Sequence, residues 1–390
     1  MLMLPPFRRS LPLAWLLLTR QPARLITAFV GVAAAGILIL MQFGFQEALF
    51  NSSISIVNKF DADLVLLSTQ SASLTGMAGF PEERLSSVVR SSEVESVMPV
   101  RWRYVKWRLP GEVQSRLAIA IGINPFQQVF RDSEIIRQQK LLGDRGRILY
   151  DSLSRPEFGP VQKQFEAGKN VVAYVGDHRL FVAGLVRFGP SFGYDSSFLT
   201  SIASLNEIFA DSAGSIELGV VKLAQGSDPE RVVREISPQL PDDVRLMTKS
   251  AFESYEKRYW ANSKPIGFVF SFCSLMGLAV GAMMVYQLLH MDVTFHLPAY
   301  ALLMSIGYRR QRLETIVFVE GLILSGLGFP LAWMVSAFLC YLVATYTSLP
   351  MVLSMQMVVT TFLMILFMCS TSALLAMGKI RDADPADLFQ

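Results

Sequence analysis

The chain has 390 residues, of which 52% are apolar and only 17% are charged. Soluble proteins usually carry about 25% charged residues. The charges are also unevenly placed, because residues 47–264 hold 52 of the 67 charged side chains and the flanking segments are nearly bare. This pattern excludes a fibrous, disordered or disulfide-knot protein. It predicts a membrane protein that carries a soluble insert.

Four segments are apolar and long enough for a helix to cross a bilayer, which takes about 20 residues. Pro330 lies inside the third segment, where we expect a kink because proline removes a helical hydrogen bond. Polar residues and a proline over residues 347–350 predict the turn between the third and fourth segments. The predicted spans are residues 25–46, 265–289, 315–346 and 352–378.

Basic residues indicate the orientation of these spans. Four arginines and no acidic residue precede the first span, and more basic residues follow the second and fourth spans. By the positive-inside rule, both termini are cytoplasmic and residues 47–264 lie outside the cytoplasm. We therefore expect a multi-pass protein of the inner (plasma) membrane. Residues 1–24 would form an amphipathic segment on its cytoplasmic side, and residues 379–390 a cytoplasmic tail.

The insert predicts a mixed α/β domain in two lobes. Strand-like and helix-like segments alternate near its start and again near its end, and two such β-α-β pieces can pair into one sheet. The segment 97–109 alternates in polarity and predicts a half-exposed strand. The predicted fold class is an α-helical membrane protein with four transmembrane helices and a large α/β extracytoplasmic domain inserted between helices 1 and 2. Its predicted parts are a helical stalk (47–60 and 250–264), lobe one (about 61–124 and 216–249) and lobe two (about 125–215).

Motifs for common enzyme chemistry are weak in this sequence. Gly168-Lys169-Asn170 lacks the leading glycine and the hydroxyl residue of a phosphate-binding loop, so we expect no nucleotide site and no ATPase activity in this chain. The segment 189–193 matches G-x-S-x-G by letter. A turn between two strands explains it better than a nucleophile elbow, because no helix pattern follows and His178 precedes the serine.

Metal and nucleic-acid sites are also not indicated. The chain has three histidines, and His290 and His296 are six residues apart on different helical faces with no cysteine near, so we expect neither a metal nor another cofactor. The insert is neutral overall, which argues against a nucleic-acid partner. The cysteines Cys273, Cys340 and Cys369 all fall in predicted spans, where we interpret them as small apolar residues.

Residues 290–314 form the predicted cytoplasmic connection between spans two and three. We predict a short helix that begins at Pro298 and stops at Gly307. Its apolar side chains favour docking into a groove of a partner protein, and a helix resting on the inner leaflet is the alternative. The candidate coupling residues are Pro298, Tyr300, Leu302, Leu303, Met304, Gly307, Tyr308, Arg309 and Arg310.

Glu320 is the one charge deep in the last two predicted spans. Carboxylates inside a membrane are costly and usually functional, so we predict a role in transmitting motion. The alternative is an ion pair with Arg310 or Arg312 near the interface. The small residues Gly277, Gly281 and Gly321 predict close helix packing, and they are weak support for a dimer.

Three short segments carry a resemblance to a known family. They are residues 12–20 (PLAWLLLTR), residues 302–310 (LLMSIGYRR) followed by Glu320, and residues 383–389 (ADPADLF). With four spans around one large external domain, the chain resembles the FtsX/MacB-type ABC transporter permeases. Within them it looks like the DevC branch of cyanobacterial tripartite exporters. Residues 300–308 keep the framework of that branch's connecting segment but lack its glutamate and lysine.

This resemblance implies a permease subunit that works as a homodimer in the lipid membrane. A separate ABC ATPase would bind the coupling residues, and an adaptor (membrane fusion protein) with a TolC-like outer-membrane channel would complete the path. The implied cargo is amphiphilic, with glycolipid as one candidate. Two alternatives share the topology: an FtsX-like signalling subunit and a lipoprotein-releasing permease. A membrane hydrolase is a more distant one.

Overall fold

The chain is analysed in a computed structural model that describes Trp15, Thr19 and residues 22–262, 266–305, 310–347 and 351–377. It divides into two compact units. The helical unit comprises the described residues within Met1–Glu47, Gly267–Tyr346 and Met351–Gln390. The α/β unit consists mainly of Ala48–Ile266.

Four long helices carry the helical unit, and each is long and apolar enough to cross a membrane. This confirms the four apolar helices of the sequence prediction. The segment α1 continues as one helix past the division between the units, which falls after Glu47. The helix that contains Pro330 continues through it. The bounds are Pro22–Ser53 for α1, Ile266–Ser305 for α9, Arg310–Thr347 for α10 and Met355–Ala376 for α11.

One helix prediction is wrong. We expected a new helix to begin at Pro298, but α9 runs unbroken from Ile266 to Ser305 and contains residue 298 in its interior. Proline removes one hydrogen bond from a helix without preventing the rest of the ladder from forming. A helix this long gains its stability from its many other turns, and residues 298–305 of the connection are therefore a continuation of α9.

Eleven strands and seven shorter α-helices lie in the described part of the α/β unit. The strands are β1 (Leu64–Ser68), β2 (Phe80–Pro81), β3 (Val94–Arg108), β4 (Arg116–Ile123), β5 (Arg147–Asp151), β6 (Val172–Val175), β7 (His178–Val186), β8 (Ser197–Ser201), β9 (Ser215–Ile216), β10 (Leu218–Leu223) and β11 (Val244–Thr248). The helices that precede α8 are α2 (Ser55–Asn58), α3 (Leu85–Val89), α4 (Ser133–Gln138), α5 (Val161–Glu166), α6 (Ile202–Ile208) and α7 (Pro229–Ile236).

The helix α8 (Lys249–Asn262) closes the unit in sequence, three residues before α9 begins. It covers most of the predicted second stalk segment. The first predicted stalk segment, residues 47–60, is not one helix, because α1 ends at Ser53 and α2 begins at Ser55. Ile54 between them has φ −106° and ψ 7°, outside the helical region, which interrupts the ladder there.

Nine of the strands form one sheet in the order β11-β1-β10-β3-β4-β8-β5-β7-β6. The predicted pairing of the early and late pieces is confirmed, since β1 lies between β10 and β11 with both neighbours antiparallel. The predicted lobe boundary near residue 124 does not separate two sheets, because β4 pairs with β8 in parallel. The division into two lobes on a stalk stays a prediction.

The long strand β3 belongs to both halves of this sheet. Its first half pairs with β10, and its second half pairs with β4 from Arg101 to Trp107. Its last two residues also pair with β6, so the strands from β3 to β6 close into a six-stranded ring. Closure removes exposed strand edges from that half of the sheet.

The start of helix α7 is set by a local capping residue. The side chain of Asp228 accepts a hydrogen bond from the Glu230 N–H at 3.1 Å.

The predicted half-exposed character of β3 is wrong for its centre. Residues 98–102 are all buried, and Arg101 is 0% exposed. Alternating polarity predicts one exposed face only when nothing covers that face. Here α6 and the 210–212 turn cover it, so an arginine that looks solvent-facing in the sequence lies inside.

Candidate functional site

The predicted coupling residues lie at the end of α9 and the start of α10. Leu302 is 54% exposed near the last turn of α9. The backbone of Pro298, Tyr300, Leu303 and Met304 belongs to α9 and Arg310 begins α10, but their side chains lie outside the described residues. Gly307, Tyr308 and Arg309 lie outside them entirely. The proposed docking surface therefore stays a prediction.

Glu320 lies in α10 and is 0% exposed within the helical unit. The next residue, Gly321, is where α10 and α11 approach closely. A Cβ atom added to Gly321 would lie 3.1 Å from the Cys369 carbonyl oxygen and 3.3 Å from the Ala373 Cβ. Glu320 is thus the sequence neighbour of a tight contact between α10 and α11. The predicted pairing with arginines 310 or 312 involves side chains outside the described residues.

Gly281 lies where three helices of the same chain meet. A Cβ atom there would come within 2.5 Å of the Ala35 Cβ in α1 and 2.7 Å of the Met368 sulfur in α11. Gly277 is looser, with the Leu38 Cβ at 3.6 Å from an added Cβ atom. These glycines therefore contact helices of their own chain. A Ser372 hydroxyl that donates to the Ala282 carbonyl at 3.0 Å joins α11 to α9 at the same level.

In the α/β unit, one face of α8 is buried. Phe252, Glu256 and Trp260 follow one another at four-residue spacing and are 0%, 0% and 5% exposed. Residues four apart share one face of a helix. We call the contacts of Glu256 and Trp260 with residues 71–78, with Tyr104 and with residues 189–194 the α8 junction. It is an aromatic face with a carboxyl group in its middle.

Both carboxyl oxygens of Glu256 accept hydrogen bonds. The Leu74 N–H donates to Oε2 at 3.0 Å, and the Trp260 indole N–H donates to Oε1 at 2.9 Å. Among the described residues, no lysine or arginine lies within ion-pairing distance of this carboxylate. Burial therefore dominates the two favourable hydrogen bonds and raises the pKa of Glu256 from 4.5 to about 7.

The loop at residues 189–194 closes the junction from the other side. The Tyr104 hydroxyl donates to the Gly193 carbonyl at 2.8 Å and fixes this loop. The Phe192 ring meets the Trp260 ring edge to face, with centroids 5.6 Å apart. A Cβ atom at Gly193 would lie 2.6 Å from the Thr75 Cγ2, so only glycine allows the loop this close.

This loop holds the G-x-S-x-G letters, and its predicted character as a turn between strands is confirmed. It connects β7 to β8, and Gly189 has φ +83°. The Ser191 hydroxyl accepts from the Gly193 N–H at 3.1 Å and is buried. The serine thus stabilises a turn that packs on α8.

A second contact ties the start of α8 to the segment that follows α1. The Lys249 ammonium donates to the carbonyl oxygens of Asn58 and Phe60 at 3.0 and 2.9 Å. Phe60 is itself fully buried against Phe130, with ring centroids 5.1 Å apart. The two segments that lead into and out of the α/β unit are therefore joined to each other and to its core.

Arg101 and Glu217 form a buried charge pair at the middle of β3. Both side chains are 0% exposed, and Arg103 adds a second ion pair to Glu217 at 2.6 Å. Glu217 also accepts from the Trp102 N–H at 2.8 Å, while Arg101 donates to Asn206 and Ser212. These contacts offset only part of the cost of burial, which raises the pKa of Glu217 and lowers the pKa of Arg101.

Sequence reasoning missed Glu256, Trp260 and the Arg101–Glu217 pair. A signal for Glu256 is present in the sequence, because it lies midway between Phe252 and Trp260 on one helical face. An acidic residue in an aromatic stripe indicates a buried carboxyl. No comparable signal marks Arg101, because its partner lies more than a hundred residues away.

Within the described residues, no group of three or more His, Cys, Asp or Glu side chains is placed to hold a metal ion. Cys340 and Cys369 are buried in the helical unit and Cys273 is partly buried; all three are free thiols. Their positions fit the interpretation of small apolar residues in helices.

Residues 271–385 match the family of FtsX-like permease C-terminal domains. The matched segment contains most of α9, all of α10 and α11, and the connection between α9 and α10. No curated protein matches the chain. Together with the four apolar helices, this match over part of the chain supports a multi-pass membrane protein whose residues 271–385 resemble an FtsX-like permease domain.

Two solved structures similar to this chain are a periplasmic region and an extracellular domain. The periplasmic region of MacB from Actinobacillus actinomycetemcomitans has a TM-score of 0.33 at 12% identity, covering 51% of this chain and 94% of that one. The extracellular domain of the noncanonic ABC-type transporter YknZ from Gram-positive bacteria has a TM-score of 0.32 at 13% identity, covering 48% and 99%. At such scores the similarity says nothing of substrate or partner.

Proposed function

We propose that this chain is the permease subunit of an ABC exporter of the MacB kind. In this proposal a separate ATPase binds the cytoplasmic connection between α9 and α10, and its closing motion is transmitted through the helices to the α/β unit outside the cytoplasm. A homodimer, an adaptor and a TolC-like channel complete the assembly, as in the DevC branch. The moved cargo is amphiphilic, with glycolipid as one candidate.

The observation that carries this proposal is the family match over residues 271–385. That segment contains the predicted connection at residues 290–314, the buried Glu320 and the tight contact of Gly321 with α11. A partner that moves the connection would act on α9 and α10 directly, because α9 ends and α10 begins within it. The absence of a phosphate-binding loop from the sequence supports an ATPase on another chain.

Co-purification tests the proposal most directly. Affinity-purified full-length protein should carry an ABC ATPase and an adaptor, and the chain alone should hydrolyse no ATP. An ATPase recovered with a cell-wall hydrolase would instead support an FtsX-like signalling subunit, and one recovered with a lipoprotein chaperone would support a releasing permease. Robust ATP turnover by the single purified chain would overturn the subunit proposal.

A substitution in the connection tests where the ATPase binds. Leu303→Asp should abolish ATPase co-purification, because an unpaired charge inside an apolar contact costs several kcal/mol. Glu320→Gln is the matched comparison, since it should leave ATPase binding intact and lower only the transport that ATP drives. Full ATPase recovery with Leu303→Asp would exclude the docking proposal and favour a helix on the membrane surface.

Labelling tests the location of the α/β unit. Val113 lies in the turn between β3 and β4 and is 95% exposed, so a cysteine there is open to reagents. Val113→Cys should react with a membrane-impermeant thiol reagent in whole cells, whereas the parent chain with its three free thiols should give only background. Protection of the introduced thiol until the cells are lysed would place the unit in the cytoplasm.

A further inference from the structure

The α8 junction holds a carboxyl group in an unusual setting. Glu256 is fully buried, and its two partners are neutral donors, one from the 71–78 loop and one from its own helix. A buried carboxylate without a cation is costly, because two neutral hydrogen bonds replace only part of its hydration. The neutral acid can remain in the same place at a much lower cost.

The groups that surround Glu256 do not offset its charge. Tyr104 approaches from β3, and burial raises the pKa of its hydroxyl to about 12, so it stays neutral. Tyr194 lines the same small cavity from the 189–194 loop, and burial raises the pKa of its hydroxyl as well. Residues 72–76 carry no ionisable side chain. On α8 itself, the charged neighbours Glu253 and Lys257 are partly exposed.

The carboxyl group of Glu256 takes part in the bonds that hold α8 to two loops. Leu74 is held to α8 by its bond to Glu256, and Trp260, one turn later, is held both by Glu256 and by the 189–194 loop. The Tyr255 hydroxyl adds a bond to the Ser71 carbonyl at 3.1 Å on the adjacent side of the helix. The 71–78 loop is thus fastened to α8 at Tyr255 and at Glu256, and the 189–194 loop is fastened to it at Trp260.

We infer that Glu256 is a proton-dependent latch for α8. Uptake of a proton from water by its buried carboxylate tightens the hold of α8 on the 71–78 loop, and loss of that proton loosens the hold. The consequence for transport rests on the proposed function, because α8 precedes α9 by three residues in the chain. The latch itself does not depend on that function.

The sign of the pH effect follows from the two states. With α8 closed on the loop the carboxyl titrates near pH 7, and with the junction open and hydrated it returns towards its ordinary value of 4.5. The closed state is therefore most favoured below pH 4.5 and loses stability as the pH rises towards 7. Across that window the opening constant should rise about tenfold per pH unit and then level off.

Hydrogen–deuterium exchange of the full chain in lipid nanodiscs tests this inference. Peptides covering residues 71–78 and 249–262 should exchange faster as the pH rises from 5 to 7, after correction for the intrinsic chemical rate of exchange. Glu256→Gln should remove this dependence and keep the peptides protected at pH 8. Glu253→Gln, the same change one turn earlier on α8, should retain the wild-type profile.

A second variant shifts the latch rather than removing it. The indole N–H of Trp260 donates to Oε1 and stabilises the ionised carboxylate. Trp260→Phe removes this donor and raises the pKa of Glu256 further, so the opening constant should level off at a higher pH. A flat corrected profile in the wild-type chain, or an identical profile in Glu256→Gln, would overturn the latch. The readout needs no ATPase or cargo, so the permease proposal and the latch can fail separately.

Discussion

The two units accommodate buried polar groups in different ways. In the α/β unit, the buried acids Asp151, Glu217 and Glu256 each accept from backbone N–H groups of loops or strand positions. In the described part of the helical unit, the buried polar side chains other than Glu320 are hydroxyls, and two of these, Ser325 and Ser372, donate to carbonyl oxygens.

This difference shows where backbone N–H groups are available to bind an acid. A helix uses nearly all its N–H groups in its own ladder, so a carboxylate on a long helix finds none nearby, whereas a hydroxyl can share a carbonyl that is already bonded. Loops and strand ends leave N–H groups open to an acid. Glu320 is the buried acid of the described helical unit, and its role in transmitting motion stays a prediction.

The largest effect on stability is expected when the buried charge network of the α/β unit is broken. Glu217→Ala should lower the free energy of unfolding by about 3–5 kcal/mol, because it leaves Arg101 buried without its carboxylate. Urea denaturation followed by tryptophan fluorescence measures this. Glu112→Ala is the control, since its ion pair with Arg116 is partly exposed and should contribute about 1 kcal/mol or less. Equal losses in both variants would mean that the buried ion pair contributes no more to stability than the partly exposed one.

A smaller effect is expected when packing in the helical unit is disturbed. Gly281→Leu should destabilise by about 1–3 kcal/mol, because even its Cβ atom would overlap Ala35 and Met368. The midpoint of thermal unfolding in detergent micelles measures this. Gly326→Leu on α10 is the matched control, since an added Cβ there meets nothing within 4 Å. If both leucine variants unfold at the same temperature, glycine packing does not specify this unit.

The smallest of the three effects concerns donors that converge on one acid. Asp151 accepts from the N–H groups of Phe188 and Gly189 at 3.0 and 2.9 Å. Asp151→Asn replaces one acceptor oxygen with an amide NH2 group, so a buried N–H loses its acceptor and the change should cost about 1 kcal/mol. Urea denaturation at pH 7 detects it. Asp195→Asn, at a half-exposed ion pair with Arg155, should change little, and a larger loss there would reverse the comparison.

The sequence predicts most elements of this fold because their signals are local. Four long apolar segments predict the four membrane helices, and Asp228-Pro229 marks the start of α7. The strands β1, β4, β10 and β11 each follow from short apolar runs. What the sequence does not contain locally is pairing between distant residues. The closure of the ring by β3 and β6, and the burial of Arg101, depend on segments brought together only by folding.

The candidate site is less predictable, for a related reason. Glu320 is visible because any acid in an apolar run is conspicuous. Glu256 lies in a helix with many charged residues, where only its spacing from Phe252 and Trp260 sets it apart. The Pro298 prediction was wrong because a local breaker was weighed without the length of the helix around it. Sequence rules predict a feature correctly when the residue type alone determines it, and they fail when the surrounding structure determines it.

The pairing of β1 with β11 has a consequence for how such a chain can change over time. Leu64 and Thr248 are partners across this pair, so the polypeptide enters and leaves the sheet at neighbouring positions although 183 residues lie between them. A segment with adjoining ends can be lengthened, shortened or exchanged without moving the helices on either side of it. The unit is therefore built as a replaceable cassette, and relatives can differ widely there while keeping the same helices.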